Sequence, residues 1–293
     1  MKIIDCPNEV QNEKGIKLWV KLASLLLLWA ICFLPVYQSM VWTWFNHSDN
    51  SHGVLVPLIT IYLIWQKKDA FCAYPLGSSK LGLLLLVVSL TLYLLSLAGS
   101  VAVISRAMVV TSLIGLLLFT LGKEKVSTIA FPLWFLLFMV PVPDSLLQTV
   151  AFPLQIFATK VSANIINFLN IPLYREGNML YFATTQLEVA EACSGIRSIM
   201  AYTMLSTLFA YFIRGGWGKR IILILSAVPM ALCANIVRVT GTGILAYFFG
   251  DSVAKGFLHE FSGMVVFVFG LILLGAEYGF LERIGNKTHR EEG

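Results

Sequence analysis

Eight apolar runs separated by short polar segments dominate this sequence of 293 residues. A helix needs about 20 mostly apolar residues to cross a bilayer. Only 13% of the residues are charged, whereas a soluble domain carries about 25%. The sequence therefore predicts an all-α polytopic membrane protein with about eight transmembrane helices, forming one integral membrane domain over residues 1–293. The runs lie near residues 22–41, 53–66, 81–98, 104–122, 127–143, 196–213, 221–249 and 262–281.

The basic residues predict which side of the membrane each loop faces. Fifteen of the 21 Lys and Arg residues fall on one side if the N-terminus is inside, as the positive-inside rule requires. We therefore expect a cytoplasmic leader at 1–21, a cytoplasmic tail at 282–293 and a large outer loop at 144–194. Because the formal net charge of +5 resides mainly in such short segments, it points to the lipid bilayer and not to a nucleic-acid partner.

The large outer loop contains two predicted elements. Residues 147–169 are apolar but interrupted by polar residues such as Gln148, Gln155 and Lys160, so we expect an amphipathic helix lying in the outer interface. After it, a turn at REGN is followed by MLYFA and QLEVA, whose alternation of side chains predicts a short β-hairpin.

Cys193 lies where this outer loop enters the sixth apolar run, in EACSGIRS. A helix N-terminus lowers the pKa of a thiol, and Arg197 adds a cation one turn further in. Gly195 would let another backbone or a substrate approach closely. Simple packing remains the alternative for Cys193, and it is our interpretation for Cys32 and Cys233 within apolar runs.

Arg238 lies inside the apolar run 221–249, within CANIVRVTGTG. An Arg at mid-helix costs roughly 2.5–3.5 kcal/mol, so it is expected to face a cavity or a partner and not lipid. Asn235 is three positions earlier and shares its helix face. Pairing with a nearby Glu and snorkelling to the interface are the structural alternatives. The glycines that follow Arg238 predict a bend or break in this run.

His259, in KGFLHEFSGM, comes just before the last apolar run. The topology places Cys193, the outer half of run 221–249 and His259 at similar depth on the outer side. A thiol, a histidine and a cation suit thiol acyl transfer: the thiolate attacks a carbonyl, His moves protons, and Arg stabilises the oxyanion. A helix cap or a solvated side chain is the alternative for His259. We expect Glu191 to orient His259 or to pair with Arg197.

A second group of polar residues, FNHSDNSHG, includes His52. Its spacing matches no metal site, and we expect an outer loop that touches the active site. No metal and no cofactor are expected.

Four segments together resemble the exosortase branch of the exosortase/archaeosortase family of membrane cysteine transpeptidases. They are YREGNMLYFATTQLEVAEACSGIRS, SHGVLVPLITIYLIW, NIVRV and FLHEFSG. The similarity extends from about Trp42 to the last apolar run. It implies that Cys193, Arg238 and His259 are the catalytic residues. As supporting or substrate-binding residues we expect Glu191, Ser194, Arg197, Asn235 and His52.

The resemblance also implies a substrate and a location. Members of the family act on proteins with a tripartite C-terminal sorting signal: a Pro-Glu-Pro-type (PEP-CTERM) motif, a transmembrane helix and a basic tail. The expected protein is a cysteine endopeptidase or transpeptidase in the inner membrane of an exopolysaccharide-producing Gram-negative bacterium, with both termini cytoplasmic and its active site facing the periplasm. It would release its substrate or pass it to an amine or surface acceptor.

Two other classes of function fit parts of the sequence. The interruption TGTGILAY and the intramembrane Arg238 are typical of the broken helices of transporters. A scaffold for polysaccharide export is the other alternative. Against transport, no inverted repeat is visible, and the candidate residues gather at one face instead of the midplane.

Overall fold

The computed structural model describes residues 13–183, 185–189, 195–250 and 257–291. The chain divides into two compact units, Met1–Pro143 and Asp144–Gly293. Their boundary coincides with the predicted start of the outer loop. The single-domain organisation stays a prediction.

The first unit is helical throughout its described elements. Two 3₁₀ helices cover Ser48–Val54 and Leu136–Met139. The α-helices are α1 (Glu13–Cys32), α2 (Leu34–Asn46), α3 (Leu55–Gln66), α4 (Lys68–Ala73), α5 (Lys80–Ala98), α6 (Ala102–Leu121), α7 (Lys123–Ser127) and α8 (Ala130–Phe135).

The first predicted span, 22–41, is not one straight helix. α1 and α2 meet at Phe33 with a bend of 63°. Pro35 stands in the first turn of α2, and its ring removes the N–H that would continue the hydrogen-bond ladder of α1. The proline explains why the apolar run bends there.

Glycines bring α5 and α6 into close contact. A Cβ placed on Gly82 would overlap the backbone of Leu118 and Phe119, and one on Gly115 would overlap the backbone of Leu86. Small residues allow this close approach of membrane helices. The pair therefore packs through backbone contact, without charged side chains at these crossing points.

The second unit contains four long helices and one small sheet. The antiparallel sheet has the order β1-β2-β3, with Arg175 opposite Leu180 and Leu180 opposite Leu187. The elements are α9 (Asp144–Phe168), β1 (Leu173–Glu176), β2 (Met179–Phe182), β3 (Gln186–Glu188), α10 (Ile196–Phe212), α11 (Trp217–Phe249) and α12 (Phe257–Glu291).

The predicted hairpin is confirmed as β2 and β3, and β1 extends it by one strand that the alternation did not reveal. The buried face of the sheet carries Leu180, Phe182 and Leu187. These side chains pack with Ile166 of α9 and Val239 of α11. The sheet is thereby fixed to the two helices of its own unit.

α11 is one uninterrupted helix of 33 residues, so the predicted break is wrong, and a bend stays a prediction. Gly243 serves packing: a Cβ there would lie 2.7 Å from Ile166 Cδ1. Gly241 has open space around the corresponding position. Gly243 therefore gives α9 room to approach, and neither glycine interrupts the helix.

α9 carries polar residues on both its buried and its exposed sides. Gln155 and Thr159 are at most 4% exposed, whereas Gln148, Lys160 and Asn164 are exposed. The helix is long and apolar enough to cross a membrane by length and composition. Its location in the outer interface stays a prediction.

Five helices of the described chain are long and apolar enough to span a bilayer, or six if α1 and α2 form one bent span. The predicted count of eight is not confirmed. The runs at 53–66, 127–143 and 196–213 form α-helices of 12, 6 and 17 residues, shorter than the roughly 20 residues of a typical span. The chain is a mostly helical multi-pass membrane protein with a small three-stranded sheet.

Candidate active site

Three helices of the second unit carry or adjoin the predicted site residues. α10 begins directly after Gly195, α11 contains Asn235 and Arg238, and α12 begins at Phe257. α11 packs against both of the other helices. The buried residues of this contact are Tyr202, Ala227, Ala231 and Ala234.

Tyr202 connects α10 directly to α12. Its hydroxyl donates a hydrogen bond to the carbonyl of Phe267 at 2.9 Å, and its ring stacks on that of Phe267 with centroids 5.3 Å apart. A side chain at Gly270 would overlap the Tyr202 ring. The spacing of α10 and α12 is thus set by one aromatic residue and one glycine.

Gly195 precedes α10 in a left-handed conformation, with φ of +79°. A Cβ on Gly195 would lie 3.1 Å from Cβ and Cγ of Asn235, and 3.3 Å from its Nδ2. The predicted close approach at Gly195 is therefore found, and the approaching group is the Asn235 side chain. Both the backbone conformation and this contact disfavour any larger residue.

Arg238 approaches the other neighbouring helix at a second glycine. A Cβ on Gly263 of α12 would lie 3.2 Å from Cζ and Nη2 of Arg238. His259 is four residues before Gly263, and the backbone of both is helical. The Arg238 guanidinium therefore lies beside α12 about one helical turn after His259 in the chain. The His259 side chain lies outside the described part of the structure.

Cys193 also lies outside the described residues, as do Glu191 and Ser194. Two described residues bracket them in the chain: Val189 before and Gly195 after. Val189 is 2% exposed. Its N–H donates to the Asn178 carbonyl at 3.0 Å, and its own carbonyl accepts from Asn178 Nδ2 at 3.2 Å.

Gln155 of α9 also donates to the Val189 carbonyl through Nε2. Its side chain is 4% exposed. In the sequence, Gln155 is recognisable only as an interruption of an apolar run, and Asn178 only as a turn residue. Both hold the chain just before Cys193. The sequence signal for this role of Gln155 is a polar residue within an otherwise apolar run.

Arg197 stands in the first turn of α10 and is exposed. It does make an interaction within the structure. Its supporting role stays a prediction. Among the described residues, no group of three or more His, Cys, Asp or Glu side chains is arranged to hold a metal ion.

His52 belongs to the first unit, in the 3₁₀ helix Ser48–Val54. It is 9% exposed, and burial lowers the pKa of its imidazole from 6.5. The segment is fixed within its unit, because the Val142 N–H donates to Asn50 Oδ1 at 3.2 Å and Trp44 Nε1 donates to the Met139 carbonyl at 2.9 Å. The buried environment favours a neutral imidazole, and a role in substrate binding stays a prediction.

A model of the transmembrane exosortase family matches residues 44–276. That range is most of the chain and includes all four motif segments, so the protein belongs to the transmembrane exosortase family. No curated protein and no solved structure matches the chain.

Proposed function

We propose that this protein is a membrane cysteine endopeptidase or transpeptidase that cleaves the C-terminal sorting signal of exported proteins. Membership of the transmembrane exosortase family supports this class of activity. The proposed catalytic residues are Cys193 as nucleophile, Arg238 as oxyanion-stabilising cation and His259 as proton donor and acceptor.

One observation carries the proposal. Asn235 and Arg238 lie three residues apart on α11, and they contact Gly195 and Gly263, which lie near the other proposed residues in the chain. Gly195 is two residues after Cys193 in the chain, and Gly263 is one helical turn after His259. A single face of α11 thus contacts both segments that the chemistry requires. Polar residues in membrane helices face protein or water-filled space and mark functional sites.

The proposed reaction has two stages. The Cys193 thiolate attacks the scissile carbonyl, the C–S bond forms, and the oxygen gains the π electron pair. The intermediate collapses with cleavage of the C–N bond, and the leaving amine takes a proton from His259. The thioester is then attacked by an acceptor amine, which gives transpeptidation, or by water, which gives hydrolysis; His259 accepts the proton and the thiolate leaves.

The proposed substrate is a protein with a PEP-CTERM signal, whose transmembrane helix holds the cleavage site at the outer surface of the inner membrane. The second unit suits such a substrate, because its candidate spans expose apolar residues such as Phe152, Val237 and Phe269. The acceptor is an amine or another surface group. The basic residues of the predicted inner loops support cytoplasmic termini and a periplasmic site.

Transport and scaffolding are weaker alternatives. The case for transport rested on a broken helix around Gly241 and Gly243 and on the intramembrane Arg238. α11 is continuous through these residues, so this feature no longer favours a transporter.

Membrane vesicles that contain the protein and a tagged sorting-signal substrate test the proposal. We expect the wild-type protein to shorten the substrate, and we expect Cys193→Ala and His259→Ala to leave it intact. Cys32→Ala and Cys233→Ala are matched controls, since both thiols are free and exposed on helices, and they should retain cleavage. Cleavage by Cys193→Ala at the wild-type rate would refute the proposal.

A further inference from the structure

Asn235 presents a buried hydrogen-bond donor that the described structure does not satisfy. The side chain is 4% exposed, and its Nδ2 finds no hydrogen-bond partner among the described residues. An amide donor buried without an acceptor costs about 1–3 kcal/mol. The acceptor of this donor therefore lies outside the described residues, and a bound substrate is one source of it.

The position of this amide limits what the acceptor is. Nδ2 lies 3.3 Å from the place of a Cβ on Gly195. Cys193 is two residues earlier in the chain, and two residues extend over at most about 7 Å. The donor is therefore within a short reach of the proposed nucleophile. The Arg238 guanidinium, in contrast, contacts Gly263 on α12, the other helix that packs against α11.

We infer that Asn235 is a catalytic residue whose Nδ2 donates a hydrogen bond to the oxyanion formed when Cys193 attacks the scissile carbonyl. This inference rests on the proposed function. As the C–S bond forms, the carbonyl oxygen takes the electron pair of its π bond, and Nδ2–H stabilises the negative charge without transferring its proton. When the C–N bond breaks, the carbonyl re-forms and the hydrogen bond weakens.

A neutral amide suits this role beside a cation. A fixed donor aimed at the developing charge acts strongly in a site that excludes water, and removal of one such donor lowers kcat by about 10²–10³-fold. Arg238 supplies charge from the side of α12, whereas Asn235 supplies a directed hydrogen bond from the side of α10. The two groups lie one turn apart on α11 and stabilise the same oxyanion from two sides.

The test compares Asn235→Leu and Asn235→Ser with the wild-type protein in detergent or vesicles. Leu has nearly the shape of Asn, carries no charge and lacks the N–H donor, and Ser is too short to reach the same place. Each variant is assayed for single-turnover cleavage of a sorting-signal substrate. Each is also assayed for alkylation of Cys193 by iodoacetamide, read by mass spectrometry of the peptide that contains Cys193. Alkylation uses the thiolate and forms no oxyanion.

We expect cleavage by both variants to fall about 10²–10³-fold, with KM changed less than about threefold and alkylation within about twofold of the wild-type rate. Thr242→Val is the matched control: Thr242 is a buried polar residue of the same helix, 6% exposed. It should retain wild-type cleavage.

The outcomes separate this inference from the proposed function. If the wild-type protein cleaves, Cys193→Ala does not, and either Asn235 variant cleaves at the wild-type rate, the inference is overturned and the proposed function stands. Equal loss of cleavage and alkylation in both variants also overturns it, because Asn235 would then only position the cysteine. If Cys193→Ala cleaves normally, the proposed function fails, and this inference fails with it.

Discussion

Two arginines stand inside apolar helices, and their surroundings differ. In the first unit, Arg106 of α6 donates through Nη2 to Ser39 Oγ at 2.8 Å and to Thr43 Oγ1 at 3.3 Å. In the second unit, Arg238 of α11 lies against Gly263. An Arg at the middle of a membrane helix costs roughly 2.5–3.5 kcal/mol. Arg238 lies in the interior of α11, whereas Arg106 lies near the start of α6.

We expect the first arginine to be structural, and we propose that the second is catalytic. The hydroxyls on α2 accept hydrogen bonds from Arg106 and link α2 to α6. Arg238 also makes an interaction within the structure; it lies beside Gly263, and Asn235 is one turn away on the same face. The same residue type is thus expected to affect stability in the first unit and reaction rate in the second.

The largest expected effect follows from Arg238→Gln. Loss of the cation from the proposed oxyanion site should lower single-turnover cleavage by about 10²–10³-fold. The far-UV circular dichroism spectrum and the melting temperature in detergent should change little, because glutamine retains much of the stem. If Arg238→Gln unfolds, Arg238 is a structural residue like Arg106, and if it cleaves normally, Arg238 is not catalytic. Either result would contradict the expected difference between the two arginines.

Gly195→Ala should have the next largest effect. A Cβ at this left-handed residue costs about 1–2 kcal/mol and presses on Asn235. Because small displacements at a reacting centre are expensive, cleavage should fall by about tenfold to 10²-fold.

Gly177→Ala is the control for backbone strain. Gly177 also has a positive φ, +59°, but open space where the Cβ would lie. It should lose similar stability and keep its cleavage rate. Equal activity in the two variants would mean that contact with Asn235 has no bearing on the reaction.

Arg106→Gln should lower stability and leave chemistry intact. The loss of charged hydrogen bonds to Ser39 and Thr43 should reduce the free energy of unfolding by about 1–2 kcal/mol. Denaturation in mixed micelles measures this change, and the cleavage rate per folded molecule should equal that of the wild-type protein. A cleavage defect without a stability defect would make Arg106 a functional residue.

The smallest expected effect concerns His52. Burial lowers its pKa from 6.5, so between its pKa in the folded protein and 6.5 the unfolded chain binds more protons. Stability should therefore fall as the pH drops through this window. The melting temperature, followed by tryptophan fluorescence on acidification, should decrease less in His52→Phe than in the wild-type protein. Identical pH dependence in both proteins would contradict a neutral, buried His52.

Several features of the second unit were predictable because local patterns determine them. The apolar run that follows Gly195 predicted the helix that begins at Ile196. Alternating side chains predicted β2 and β3. The order of the helices predicted that the segments near Cys193, Arg238 and His259 approach one another, and the contacts of α11 at Gly195 and Gly263 agree with this.

Other features depend on tertiary contacts that no local pattern contains. In the sequence, Gln155 is visible only as a polar residue that interrupts an apolar run. The folded unit reveals that its side chain donates to the Val189 carbonyl. Gly243 suggested a break, but it accommodates Ile166. The bend at Phe33 was predictable, because Pro35 is visible in the sequence and a proline interrupts a helix locally.

Mass spectrometry of the protein incubated with a tagged sorting-signal substrate tests the central claim most directly. Rapid acid quenching should trap a thioester between Cys193 and the N-terminal fragment of the substrate, and its mass identifies the scissile bond. Hydroxylamine should release that fragment, and Cys193→Ala should form no adduct. Substrate cleavage without any adduct at Cys193, or an adduct at another cysteine, would contradict this account.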